Sequence, residues 1–168
     1  MAETFSPTAL PAAKAARYAE LRREIAAVLD GEPDLTARMA TASSMLASAF
    51  DAFSWIGFYV VDRAKRNELV VGPYQGSLGC LRIAFGRGVC GTAAVTCEAQ
   101  IVPDVHAFPG HIACDSRSAS EIVLPVFDRA GALIAVLDVD STEPAAFDAV
   151  DAEGLRAILT DTFSWIRS

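Results

Sequence analysis

The stretch Glu121-Ile-Val-Leu-Pro-Val-Phe-Asp-Arg-Ala-Gly-Ala-Leu-Ile-Ala-Val-Leu-Asp-Val-Asp140 decides the fold. Two strongly apolar runs, 121–127 and 132–139, flank the turn Asp128-Arg129-Ala130-Gly131. Short runs rich in Val, Ile and Leu around such a turn predict an antiparallel hairpin. Its acids gather at one end: Glu121 opens one strand, and Asp138 and Asp140 close the other. Residues two apart on a strand share a face, so Asp138 and Asp140 point the same way. Antiparallel pairing brings Glu121 close to both. A cluster of like charges raises at least one carboxyl pKa. Such a cluster suits an ammonium group and can keep one acid protonated as a proton donor.

Upstream of this hairpin, Trp55 to Val61 is aromatic and β-branched and predicts a strand. A polar turn, 62–67, leads to a second strand, Glu68 to Val71, which makes another hairpin. Trp55 and Tyr59 fall on one face of the first strand, where they serve either as core or as a surface closing over a methyl–sulfur group. Gly72, Pro73, Gly76 and Gly79 predict a loop, and Cys80 to Phe85 a third short strand. A short helix starts near Gly88, and Gln100 to Val102 is a brief strand. The segment 103–120 is expected to be a long loop, and loops of that length in a compact domain are usually functional.

Helices are expected at both ends. Pro11 to Asp30 carries an apolar stripe of Tyr18, Leu21, Ile25, Val28 and Leu29. Asp34 caps a second helix reaching about Phe50, with Leu35, Met39, Ala42, Met45, Leu46 and Phe50 inward. The last helix starts near Asp148 and buries Leu155, Ile158, Leu159, Phe163 and Ile166. Strands in the middle and helices at the ends predict an α+β fold with a central, mainly antiparallel sheet. The expected organisation is one domain over 1–168: helices in 11–50, sheet and active-site loops in 54–141, and a C-terminal helix in 148–166.

The chain has 168 residues, 52% hydrophobic and 21% charged, a globular composition. Its net charge of -7 argues against nucleic acid and anionic membranes as partners. No apolar run reaches the ~18 residues of a membrane-spanning helix. The N-terminal stretch MAETFSPTALPAAKAARYAE lacks a basic patch followed by an apolar core, so a cytoplasmic location is expected.

Four cysteines remain: Cys80, Cys90, Cys97 and Cys114. No C-x-x-C pair is present, and a reducing compartment disfavours structural disulfides. The spacings of Cys80, Cys90, His106, His111 and Cys114 match no usual zinc ligand pair, so no metal is expected. Cys90 sits at the start of the short helix, where the dipole should lower its pKa. The same backbone N–H groups could instead hold a carboxylate. Cys114 follows His111 by three residues; an imidazole would lower its pKa, and Asp115 would oppose this. Cys97 reads as packing or surface.

Together these segments resemble the free methionine-(R)-sulfoxide reductase family of the GAF-fold superfamily. The resemblance rests on SWIGFY (54–59), GPYQG (72–76), CLRIAFGRGVCGTA (80–93), DVHAFPGHIACD (104–115), SEIVLPV (120–126) and VLDVDS (136–141). It implies a GAF-like domain in which Cys80, Cys90 and Cys114 are redox cysteines. Trp55, Tyr59, Glu121, Asp138 and Asp140 would line the substrate pocket. It further implies free methionine-(R)-sulfoxide as substrate, thioredoxin as external reductant, no bound cofactor, and a homodimer. Two departures are Pro109, where an acidic residue is expected, and the additional Cys97. Within this reading Cys114 attacks the sulfoxide, Glu121 or Asp140 supplies the proton, and Cys80, or else Cys90, resolves the sulfenic acid. An exchange of roles between Cys90 and Cys114 stays open. The alternative is a non-catalytic GAF domain sensing a small molecule or redox state.

Overall fold

The computed structural model describes residues 9–166. The chain runs α1 (Ala9–Val28), α2 (Leu35–Ala49), β1 (Trp55–Val61), β2 (Glu68–Gln75), β3 (Arg82–Ala84), α3 (Gly88–Thr96), β4 (Gln100–Val102), a 3-10 turn (Val105–Ala107), β5 (Ser120–Phe127), β6 (Leu133–Ser141) and α4 (Ala149–Phe163). The strands form one six-stranded sheet in the order β3-β2-β1-β6-β5-β4, with antiparallel pairing throughout. The expected α+β class is therefore the observed one.

Strand alternation gives the sheet two different faces. Ile56, Phe58, Ile122, Leu124, Leu137 and Val139 point toward the helical side, where they meet Tyr18, Leu21, Leu46, Leu155 and Phe163 in one core. Trp55, Tyr59, Val123 and Val136 point the other way and pack with Val89, Cys90 and Ala93 of α3. This second core is smaller, and the site lies on its side of the sheet.

The helix ends follow their capping chemistry. Asp34 accepts from the Ala37 N–H at 2.8 Å and starts α2. Asp148 and Asp151 form a reciprocal capping box at α4. The first helix begins at Ala9, ahead of Pro11, because a first-turn proline lacks an N–H the helix does not need there. Val28 is 60% exposed and does not join the buried stripe of α1. Ile166 lies beyond α4, yet it still packs on the core and its carbonyl accepts from Arg129 N–H.

Two strand limits differ from expectation. Strand β2 continues through Gly72 and Pro73 to Gln75, where a loop is expected. Tyr59 pairs with Val71 while Gly57 pairs with Tyr74, so β2 carries one extra residue there. This bulge accommodates a proline that cannot donate to a regular ladder. Strand β3 is shorter than expected and begins at Arg82, leaving Cys80 in the preceding loop.

Candidate active site

The acids of the β5–β6 hairpin form the floor of the site. Glu121 pairs with Asp140 across the ladder, and Val123 pairs with Asp138. Asp138 and Asp140 therefore share the face opposite the helical core, as the alternation requires. Trp55 and Tyr59 stand beside them on β1, which pairs with β6 through Trp55 and Asp140. Trp55 stacks on Tyr59 at 5.8 Å and on Tyr74 at 5.1 Å. Both Trp55 and Tyr59 are buried, and both line the pocket. Gly57 stands between them, and a Cβ there would run into Tyr74 Cβ.

Two loops and the first turn of α3 complete the walls. About 510 Å³ of space, open solvent at the mouth included, lies between these walls. Its lining includes Cys90, Cys114, Glu121, Asp138, Asp140 and His111. Cys80 is joined to Cys114 by a disulfide with the Cα atoms 5.6 Å apart. Cys90 is buried and free, and Cys97 is exposed and free. The disulfide ties the loop after β2 to the loop before β5. Ser77 Oγ donates to Asp115 at 2.8 Å and makes a second tie between the same loops. The Trp55 indole N–H donates to the Ser77 carbonyl at 2.9 Å, so the aromatic wall is fixed to this junction.

Electrostatics at the floor are dominated by burial. Desolvation raises Asp138 and Asp140 well above the carboxylate range, and each feels another acid nearby. Burial, helped by Asp140, pushes Glu121 up to about 8. Desolvation lowers His111, so its imidazole is neutral near pH 7. Glu121 in its acid form against a neutral imidazole, 3.3 Å away, is a ready proton donor.

One expectation for the thiols is overturned. Cys90 does start α3, but its thiol pKa is raised well above normal rather than lowered. Burial and the neighbouring Asp138 and Glu121 outweigh the helix dipole, whose effect is of order 1 kcal/mol. Of the two imidazoles, His111 faces Glu121 in the pocket that Cys114 also lines, and His106 is exposed on the 3-10 turn. Asp115 is paired with Arg117 and Ser77, which hold its carboxyl far below the usual range. Cys97 lies just past α3 in a left-handed cap with φ 55, on the surface as anticipated.

Ser77, Ser118 and the His111–Glu121 contact escape sequence reasoning. Ser118 binds Asp140, and Ser77 binds Asp115. The only sequence signal is that each lies in a Gly- or Ser-rich loop, next to residues already singled out. The first turn of α3 has no side-chain cap, so its N–H groups remain available at the pocket wall.

The GAF domain family matches residues 32–162. The chain is therefore a GAF-domain protein. It is 44% identical over 142 residues to the free methionine-R-sulfoxide reductase of Escherichia coli (strain K12), covering 84% of each chain. It is 44% identical over 133 residues to that of Saccharomyces cerevisiae, covering 77% of this chain and 74% of the relative. Its fold is similar to the free methionine-R-sulfoxide reductase from Neisseria meningitidis in complex with its substrate: TM-score 0.84 and 46% identity, with 89% and 87% of the two chains covered. Within the GAF class the chain belongs to the free methionine-R-sulfoxide reductase family, oxidoreductases acting on a sulfur group.

Proposed function

We propose that this chain reduces the R-sulfoxide of free methionine in the cytoplasm, with Cys114 as nucleophile, Cys80 as resolving thiol and thioredoxin as final reductant. The observation that carries the reading is the Cys80–Cys114 disulfide at the rim of a pocket floored by three carboxyl groups. The two bonded sulfurs are where a completed turnover would leave them.

In the proposed cycle the Cys114 thiolate attacks the sulfoxide sulfur. Glu121, or Asp140, protonates the oxygen. The oxygen ends on Cys114 as a sulfenic acid, and methionine leaves reduced by two electrons. The Cys80 thiol then attacks Cys114, and the S–O bond breaks with release of water. A thioredoxin dithiol returns the disulfide to two thiols by exchange. Cys90 is poorly suited to the first step, because burial and adjacent acids keep it a thiol.

Both charges of a free amino acid have partners here. The ammonium faces the acids, and the carboxylate faces the uncapped N–H groups of α3. Trp55 and Tyr59 take the methyl–sulfur end. Two such chains pair as a homodimer, which light scattering on the eluting protein reads directly.

Incubation with racemic free methionine sulfoxide and dithiothreitol tests the reading. The R epimer should disappear with matching release of methionine, while the S epimer persists. An unchanged R epimer would defeat the proposal and leave a sensing role.

A further inference from the structure

Cys90, Glu121 and Asp138 form a mixed sulfur–oxygen donor set, of which the cycle above uses the two acids to meet an ammonium group and Glu121 to supply a proton. The thiol sulfur and one oxygen from each carboxyl all lie within 4.8 Å of one another. The three residues are 3%, 5% and 7% exposed. Asp138 Oδ1 is buried without a hydrogen-bond partner, and Asp138 lines the pocket. A buried oxygen left in that state carries a desolvation cost that a ligand seated there would recover.

We propose that this set binds one borderline-soft divalent cation of the Zn²⁺ or Cd²⁺ type. A thiolate beside two carboxylates favours such ions over Mg²⁺ or Ca²⁺, which prefer oxygen alone. Three protein donors with a fourth position open to the pocket match an open zinc site. Bonds of ~2.3 Å to sulfur and ~2.1 Å to oxygen set the donors ~3.5 Å apart, against the present limit of 4.8 Å. The donors come from α3, β5 and β6, and β5 and β6 are already paired. His111 Nε2, 3.3 Å from Glu121 Oε2, steadies that ligand. Coordination expels the Cys90 thiol proton and any carboxyl proton to solvent, with no change of oxidation state. Cation binding itself is independent of the proposed turnover. The further consequence, that the cation shuts out the substrate ammonium, rests on that reading.

Cd²⁺ alone is the probe, because its thiolate bond gives an ultraviolet charge-transfer band. Oxidised protein with Cys97→Ser leaves Cys90 as the single thiol, since Cys80 and Cys114 are bonded to each other. One Cd²⁺ per chain should bind and produce the band. Cys90→Ser should remove the band, and Asp138→Asn or Glu121→Gln should weaken binding at least about tenfold. No band, a band surviving Cys90→Ser, or unaltered affinity in both acid variants overturns the proposal. The acid variants decide the matter if Cys90→Ser does not fold. Excess free methionine should displace the ion; failure to do so removes the competition but not the site. Because no turnover is read, a protein inactive toward sulfoxide would sink the preceding section alone.

Discussion

His111 Nε2 stands 3.3 Å from Glu121 Oε2, joining the loop that carries Cys114 to the carboxyl floor beneath it. The contact pairs a base weakened by burial with an acid held up to about 8 by burial. Near neutral pH the proton therefore stays on Glu121.

That placement sets a pH limit on the chemistry. Proton donation requires the acid form, which is lost as pH rises through about 8. Single-turnover rates of prereduced protein should fall on that limb. Glu121→Gln should lower the rate about 100-fold and remove the limb. A variant that keeps the wild-type profile would shift the donor role to Asp140.

Stability should follow the same acids with a definite sign. Glu121, Asp138 and Asp140 all have folded pKa values raised above their unfolded ones. Their contribution is complete below about pH 4 and is lost as pH climbs through the folded values. For Glu121 the loss runs from its unfolded value of 4.5 to about 8. Calorimetry should find Tm lower at pH 8 than at pH 6, with the drop smaller in Glu121→Gln and Asp138→Asn. At pH 8 either substitution should raise Tm by about 3 °C or more, equivalent to roughly 1 kcal/mol.

Cysteine substitutions should separate the sulfur roles. Cys114→Ser should release no methionine in a single turnover. Cys80→Ser should release one equivalent per chain and then stop, because no disulfide can form. Cys90→Ser should retain the first turnover, and Cys97→Ser should be nearly silent. Quenched assays counting methionine per chain decide each case, and a dead first turnover in Cys90→Ser alone would reverse the assignment.

Blocking the substrate amine should be severe. N-acetylated methionine sulfoxide presents no ammonium to the floor and leaves the buried acids without a partner. Its kcat/KM should fall about 10⁴-fold below that of the free amino acid. Equal rates on both would point to a peptide substrate.

Packing at β1 and α4 offers two further tests. Gly57→Ala would drive a Cβ into Tyr74 Cβ, and Gly154→Ala would press on the Tyr18 ring. Each should cost about 1–3 kcal/mol in urea unfolding. Gly57→Ala should also disturb the Trp55–Tyr74 stack and shift tryptophan fluorescence.

The sheet and its acids were legible because they depend on local rules. Alternation placed Asp138 and Asp140 on one face, and hairpin pairing brought Glu121 opposite Asp140. The Asp34 cap and the start of α4 near Asp148 were readable for the same reason. The Cys90 pKa was not, because its cause lies across space: two strands supply the carboxyls that oppose the helix dipole. The partner of His111 was equally hidden, since a loop's path decides which of two neighbours it reaches. Pro73 misled through a sound local rule, overridden by a bulge that only the pairing with β1 reveals.

The Cys80–Cys114 bond closes a chain segment with a separation of 34 residues. By chain-entropy reasoning such a cross-link is worth about 4 kcal/mol against unfolding. The disulfide-bonded chain is thus the sturdier one, and the dithiol chain, which the proposed cycle makes the reactive form, is more exposed to heat and proteases. Under the proposed cycle, reductant supply would set the lifetime of the polypeptide as well as its working rate.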